Sequence, residues 1–109
     1  MPALYKVLGQ VMPIANTFTD LYTVPAGANA IVSTINLCNT TASNVSFRLA
    51  VRPGGATLLA RHYLAFEAPI TGQDAIALSL GITLGQTDVL TGFSVQGNVA
   101  MNVFGTELT

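Results

Sequence analysis

At 109 residues the chain has room for one domain, and residues 1–109 read as a single unit able to bury a modest core. Charged residues make up 8% of it, against about 25% in an ordinary soluble domain, while hydrophobic residues make up 50%. Net charge is −1 and the cations Lys6, Arg48, Arg52 and Arg61 form no basic run, so direct nucleic-acid binding is not expected.

Surfaces poor in charge belong to the centres of interfaces, so much of this surface is expected to meet other protein. Cys38 is the only cysteine, which rules out a disulfide within the chain, and it is expected as a small buried apolar residue. The first residues, Met1-Pro2-Ala3-Leu4-Tyr5-Lys6, lack the basic start and apolar run of a signal peptide. The uncharged stretch from Leu21 to Phe47 holds Pro25, Gly27 and four asparagines, so no membrane helix is expected there.

In chain order, Tyr5 to Val11 is a weakly alternating strand, closed by Met12-Pro13, and Phe18 to Val24 is a second. Pro25-Ala26-Gly27 is a turn. Ile31, Ser33, Ile35 and Leu37 then share one face of a third strand, which ends in the polar loop Asn39 to Asn44. Val45 to Arg52 alternates most strictly: Val45, Phe47, Leu49 and Val51 point inward, Arg48 and Arg52 outward. Pro53-Gly54-Gly55 is a turn. Ala56 to Ala65 supports one helical turn at most, with Leu58, Leu59, His62 and Tyr63 on a common face. Arg61 to Glu67 is a weak strand, followed by a loop from Pro69 to Asp74. Ala75 to Ile82 reads as one strand with Ile76, Leu78, Leu80 and Ile82 inward. After a turn at Gly85 to Asp88, Val89, Thr91, Phe93 and Val95 share a stripe. Gln96-Gly97-Asn98 is expected as a tight hairpin into a last strand, Val99 to Phe104. About eight strands at this spacing predict an all-β, single-domain antiparallel sandwich, jelly-roll-like.

Chemistry leaves few traces. One histidine and one cysteine without paired spacing make no zinc site, and Asp74 and Asp88 stand in separate turns, where they are expected to stabilise the turn rather than bind calcium. His62 has no context that marks it as a base and is expected on a strand face or in a partner contact. Glu67 and Asp74 flank one loop and are the nearest carboxylate pair. A salt bridge from Glu67 to Arg61 or Arg52 accounts for Glu67 as well as glycosidase chemistry does. There is no Gly-x-Ser-x-Gly elbow and no phosphate-binding glycine motif. No catalytic residue, metal or cofactor is expected. Sugar binding is a lesser expectation, because the chain has no tryptophan and most of its aromatics are expected in the core.

The stretch Leu21-Tyr22-Thr23-Val24-Pro25-Ala26-Gly27, followed by an apolar strand ending in Cys38-Asn39, resembles small virion proteins of tailed bacteriophages. The later stretch from Ala77 to Leu90, with a Gly, a turn and Asp88-Val89, is similar to the same group. That resemblance implies a β-sandwich that serves as a capsid decoration (cement) protein or as a module of a neck, tail or fibre, and brings no catalytic residues with it.

The expected function is therefore passive: to bind the major capsid protein or other virion proteins, in a particle assembled in the host cytoplasm, through neutral contacts insensitive to salt. The alternative is a neck, tail or fibre module that binds a receptor or glycan. Apolar residues beyond the needs of one core point to a homo-oligomer, and the preference for a trimer is implied by the resemblance. The candidate interface residues are Arg48, Arg52, Leu58, Leu59, His62, Tyr63, Met101 and Phe104, with Val99 as a further surplus apolar residue.

Overall fold

Alternating apolar and polar residues resolve into β1 (Ala3–Val11), β2 (Thr19–Thr23), β3 (Asn29–Asn39), β4 (Val45–Arg52), β5 (Tyr63–Ile70), β6 (Ala75–Leu78), β7 (Ile82–Leu84), β8 (Val89–Phe93) and β9 (Val99–Leu108). The computed structural model describes residues 3–79 and 81–109, and among these the only helical pieces are two 3-10 turns, Pro53–Gly55 and Ala60–His62.

The strands form two antiparallel sheets. Sheet A runs β1-β9-β3-β6, with β7 also on β3, and sheet B runs β2-β8-β4-β5. Successive strands cross between the sheets except at β4–β5 and β6–β7, which is the strand order of a jelly roll. The turn at Gln96-Gly97-Asn98 is therefore a correction. It does not close a hairpin but carries the chain from β8 in sheet B to β9 in sheet A. Gly97 (φ 73°) and Asn98 (φ 60°) are both left-handed there, and Thr40 holds the Asn98 carbonyl with its N–H (3.0 Å) and its hydroxyl (2.7 Å).

The core lies between the sheets. Val45, Phe47 and Leu49 of β4 are buried, as their alternation predicts, while Val51, Ile76, Leu78 and Ile82 pack against the core from its margin. Leu80, expected inward, lies outside the described residues. Val99 and Met101 are not surplus apolar residues: both face the core from β9, at 0% and 1% exposure.

Bulges explain where simple alternation fails. Val32 pairs with Gly105 and Thr34 with Phe104, so Ser33 is an extra residue in β3 and the phase of the strand flips there. Ala30 and Val32 are buried before the bulge and Ile35 and Leu37 after it, whereas Ile31 and Ser33 are exposed rather than part of one buried stripe. The same step splits the edge strand expected over Ala75 to Ile82. β6 pairs with Ile35–Cys38 and β7 with Ala30–Val32, with Gly81 (φ 64°) between them. Leu8 is a matching extra residue in β1, between Val7↔Phe104 and Gly9↔Val103.

The two stretches quoted for the resemblance meet. Pro25-Ala26-Gly27 turns through Ala28 N–H to the Pro25 carbonyl (3.1 Å), with Gly27 at φ 82°. Its backbone locks onto the Gly85–Asp88 turn through Val24 N–H to Asp88 O (3.0 Å), Thr87 N–H to Val24 O (2.9 Å) and Gly27 N–H to Gln86 Oε1 (2.8 Å). Asp88 acts as a turn stabiliser, accepting from Gly85 N–H (2.8 Å) and Gly54 N–H (2.9 Å).

Candidate functional site

Residues four apart on a strand share a face, and Arg48 and Arg52 both stand on the outer face of β4. Each has its carboxylate within the chain. Arg48 Nη2 donates to Glu67 Oε1 at 2.7 Å, and Arg52 Nη2 to Asp20 Oδ1 at 2.8 Å. Glu67 thus pairs with Arg48 rather than with Arg61 or Arg52. The cause is a bulge in β5: Phe47 pairs with Ala68 and Leu49 with Ala65, so Phe66 and Glu67 both stand opposite Arg48. Glu67 takes φ 51° and also accepts from the Ser46 hydroxyl at 2.9 Å. The Arg48 hydrogen bond is the main reason its carboxyl sits below the usual carboxylate range.

A ladder of side chains crosses this face. Phe18 stacks on Phe93 (centroids 4.3 Å apart, planes at 28°). The Arg48 guanidinium carbon lies 4.6 Å from the Phe93 centroid and 4.3 Å from that of Phe66, and Phe66 meets Tyr63 edge-on at 5.0 Å. Arg48 Nε–H is buried with no hydrogen-bond partner among the described residues.

A polar rung lies beside the ladder. Arg52 Nε donates to the Thr91 hydroxyl (3.0 Å), which faces Asp20 Oδ1 (3.3 Å), while Arg52 Nη1 reaches the carbonyls of Gly55 (3.2 Å) and Ala56 (3.1 Å). These last bonds pin the loop after β4. His62 fastens its far end: Nδ1 accepts from Leu59 N–H at 3.0 Å, and His62 N–H donates to the Leu59 carbonyl at 3.0 Å. Between loop and sheet lies an open groove of about 640 Å³, lined by Phe18, Asp20, Arg48, Arg52, Thr57, Leu58, Leu59, Ala60, Tyr63 and Thr91.

Of the expected interface residues, Arg48, Arg52, Leu58, Leu59 and Tyr63 converge on this groove, and His62 shapes its loop. Met101 does not belong to any surface, being part of the core. Phe104 lies on the outer face of sheet A, beside Tyr5, Val7, Ser33 and Thr106, around a shallow hollow of about 510 Å³. The stripe Val89, Thr91, Phe93 does share a face, but it is the outer one: Phe18, Arg48 and Arg52 cover Thr91 and Phe93, while Leu90 joins the core and Val95 is exposed. Phe18, Asp20 and Thr91 also line the groove, though none of them is among the expected interface residues. Cys38 is half-buried and unpaired rather than in the core. Asp74 caps its own turn, accepting from Ala75 N–H at 2.8 Å.

A third polar cluster ties β1 and β2 to β9. Glu107, 7% exposed, accepts from the Tyr22 hydroxyl (2.6 Å) and from Lys6 Nζ (3.1 Å). Those two hydrogen bonds, Tyr22 first, hold its carboxyl below the usual range, while burial chiefly pushes the Tyr22 phenol up.

Among the described residues no cluster of three or more His, Cys, Asp or Glu stands ready to hold a metal ion, and no helix is long and apolar enough to cross a membrane. Compared with family models, curated proteins and solved structures, this chain finds no match.

Proposed function

We propose that this chain is a structural subunit of a tailed-phage particle, a capsid decoration (cement) protein that joins neighbouring subunits and catalyses no reaction. The observation that carries this reading is the outer face of sheet A. Tyr5 (85% exposed), Val7, Ile31 and Phe104 form an apolar strip on it, and register places Tyr5 beside Thr106 and Thr106 beside Ile31. Lys6, the cation nearest the strip, is drawn to Glu107. A neutral strip of this kind suits a lasting contact with the major capsid protein or a second copy. The jelly-roll order supports the same reading, since it is an architecture of viral capsid domains. Three-fold association on the lattice rests on the resemblance of the Leu21–Gly27 stretch.

Light scattering and co-sedimentation with purified phage heads test this. The expected result is self-association or head binding that is unchanged between low and high salt and is lost in Tyr5→Asp and Phe104→Asp variants that remain folded. A stable monomer that binds neither heads nor tails overturns it. Many copies per purified particle mean decoration, and a few mean the neck, tail or fibre location.

A further inference from the structure

We propose that the groove on the outer face of sheet B is a binding site for an uncharged saccharide. This goes beyond the structural role and stands on residues of the opposite sheet.

Charge comes first. The two cations of the floor, Arg48 and Arg52, are each neutralised by their own carboxylate at 2.7 and 2.8 Å, so the four groups cancel. A charged ligand gains little there and has to compete with formed, charge-assisted hydrogen bonds. A neutral ligand meets no such cost.

The polar groups left over suit hydroxyls. Asp20 has a side chain 53% exposed, and among the described residues its side-chain contacts both fall on Oδ1, which leaves Oδ2 as an acceptor for a ligand. Thr57 lines the same space with a hydroxyl that donates or accepts, and the Tyr63 hydroxyl, which accepts from Arg48 Nη1 at 3.4 Å, keeps its own O–H to donate. Phe18 adds an apolar platform. One face rests on Phe93, yet the residue is 44% exposed, and Leu58 and Leu59 stand across the groove. A ligand with hydroxyls on its rim and an apolar C–H face is a sugar ring.

A peptide fits less well. The floor is made of side chains that rise from the face of β2, β8 and β4. β8 and β4 are paired on both sides, and the free edge of β2 lies in the plane of the sheet rather than in the groove, so the groove itself offers a peptide backbone no strand to extend. The groove is also set in advance. Arg52 holds the carbonyls of Gly55 and Ala56, Asp88 holds Gly54 N–H, and the Leu59–His62 clasp closes the far end, so little ordering remains for a ligand to impose.

The test is an amide NMR titration of the ¹⁵N-labelled chain with uncharged hexose, deoxyhexose and N-acetylhexosamine oligosaccharides, alongside sialylated and sulfated ones. The expected result is that an uncharged member shifts the amides of Phe18 to Asp20, Leu58 to Ala60 and Thr91. Phe18→Ala should then weaken binding about tenfold, the worth of one aromatic contact, and leave distant amides in place. Asp20→Asn should weaken it separately. The inference is overturned if no uncharged member shifts those amides, if a charged member binds tightest, or if binding survives both substitutions. Head binding plays no part in this readout, so the two proposals fail independently.

Discussion

The guanidinium of Arg48 packs on the ring of Phe66, its carbon 4.3 Å from the ring centroid, while the same group holds Glu67 at 2.7 Å. One planar cation thus serves two consecutive residues of β5, which is what the bulge at Phe66 and Glu67 makes available. Lysine can keep the charge but not the flat face. Arg48→Lys is therefore expected to destabilise the fold by about 1–2 kcal/mol, read from the urea midpoint, even though net charge is unchanged.

The two sides of sheet B should respond differently to loss of an aromatic. Phe47, 1% exposed, fills the core, and Phe47→Ala is expected to cost about 3–5 kcal/mol. Phe66 is 59% exposed and loses mainly its stacking on Arg48, so Phe66→Ala should cost about 1 kcal/mol or less. Equal costs in thermal or urea unfolding would contradict the assignment of faces.

Stability should fall on the acid side. The carboxyls of Glu67 and Glu107 are held below their ordinary value, so their contribution is fully present above pH 4.5 and is lost as pH drops through the lowered folded values. Tyr22 has the opposite sign. Its phenol is raised, so that contribution is present below pH 10 and is lost only as pH climbs beyond it. A melting-temperature series across pH should show a plateau with both limbs. Glu107→Gln should lower the plateau and make the acid limb shallower.

Gly105 tests the twinned bulges. A Cβ there would run into the carbonyl of Ile31 and come within 3.0 Å of Val32 Cα, both main-chain atoms that cannot swing aside. Gly105→Ala is expected to destabilise by about 1–3 kcal/mol, measured by urea unfolding.

Periodicity made the inward face of β4 legible, because Val45 to Arg52 has no bulge of its own; it did not show that the outer face is covered as well, with Ala50 at 1% exposure. It failed at β3, where a single extra residue, Ser33, moves Ile31 out of the stripe it shares with Ile35 on paper. It misjudged β8 for another reason. Val89 to Phe93 is covered on both sides, so apolar content could not say which face met the core. The groove was half visible. Arg48, Arg52 and the Leu58–Tyr63 window announce themselves by charge and spacing, but Phe18, Asp20 and Thr91 join them through strand pairing across long separations. The aromatics misled in the useful direction: Phe47 sits in the core, while Tyr5, Phe18, Phe66 and Phe104 remain on the surface.

From Ala3 to Val7, β1 is exposed along its whole length and bonded to β9 alone. At Leu8 the register steps, Leu8 and Val11 pack against the margin of the core, and the main chain of Gly9 lies directly under the Leu21 carbonyl. Fraying that starts at Ala3 meets a stop at this step. The hydrogen bonds of that outer half could thus be broken without opening the core between the sheets.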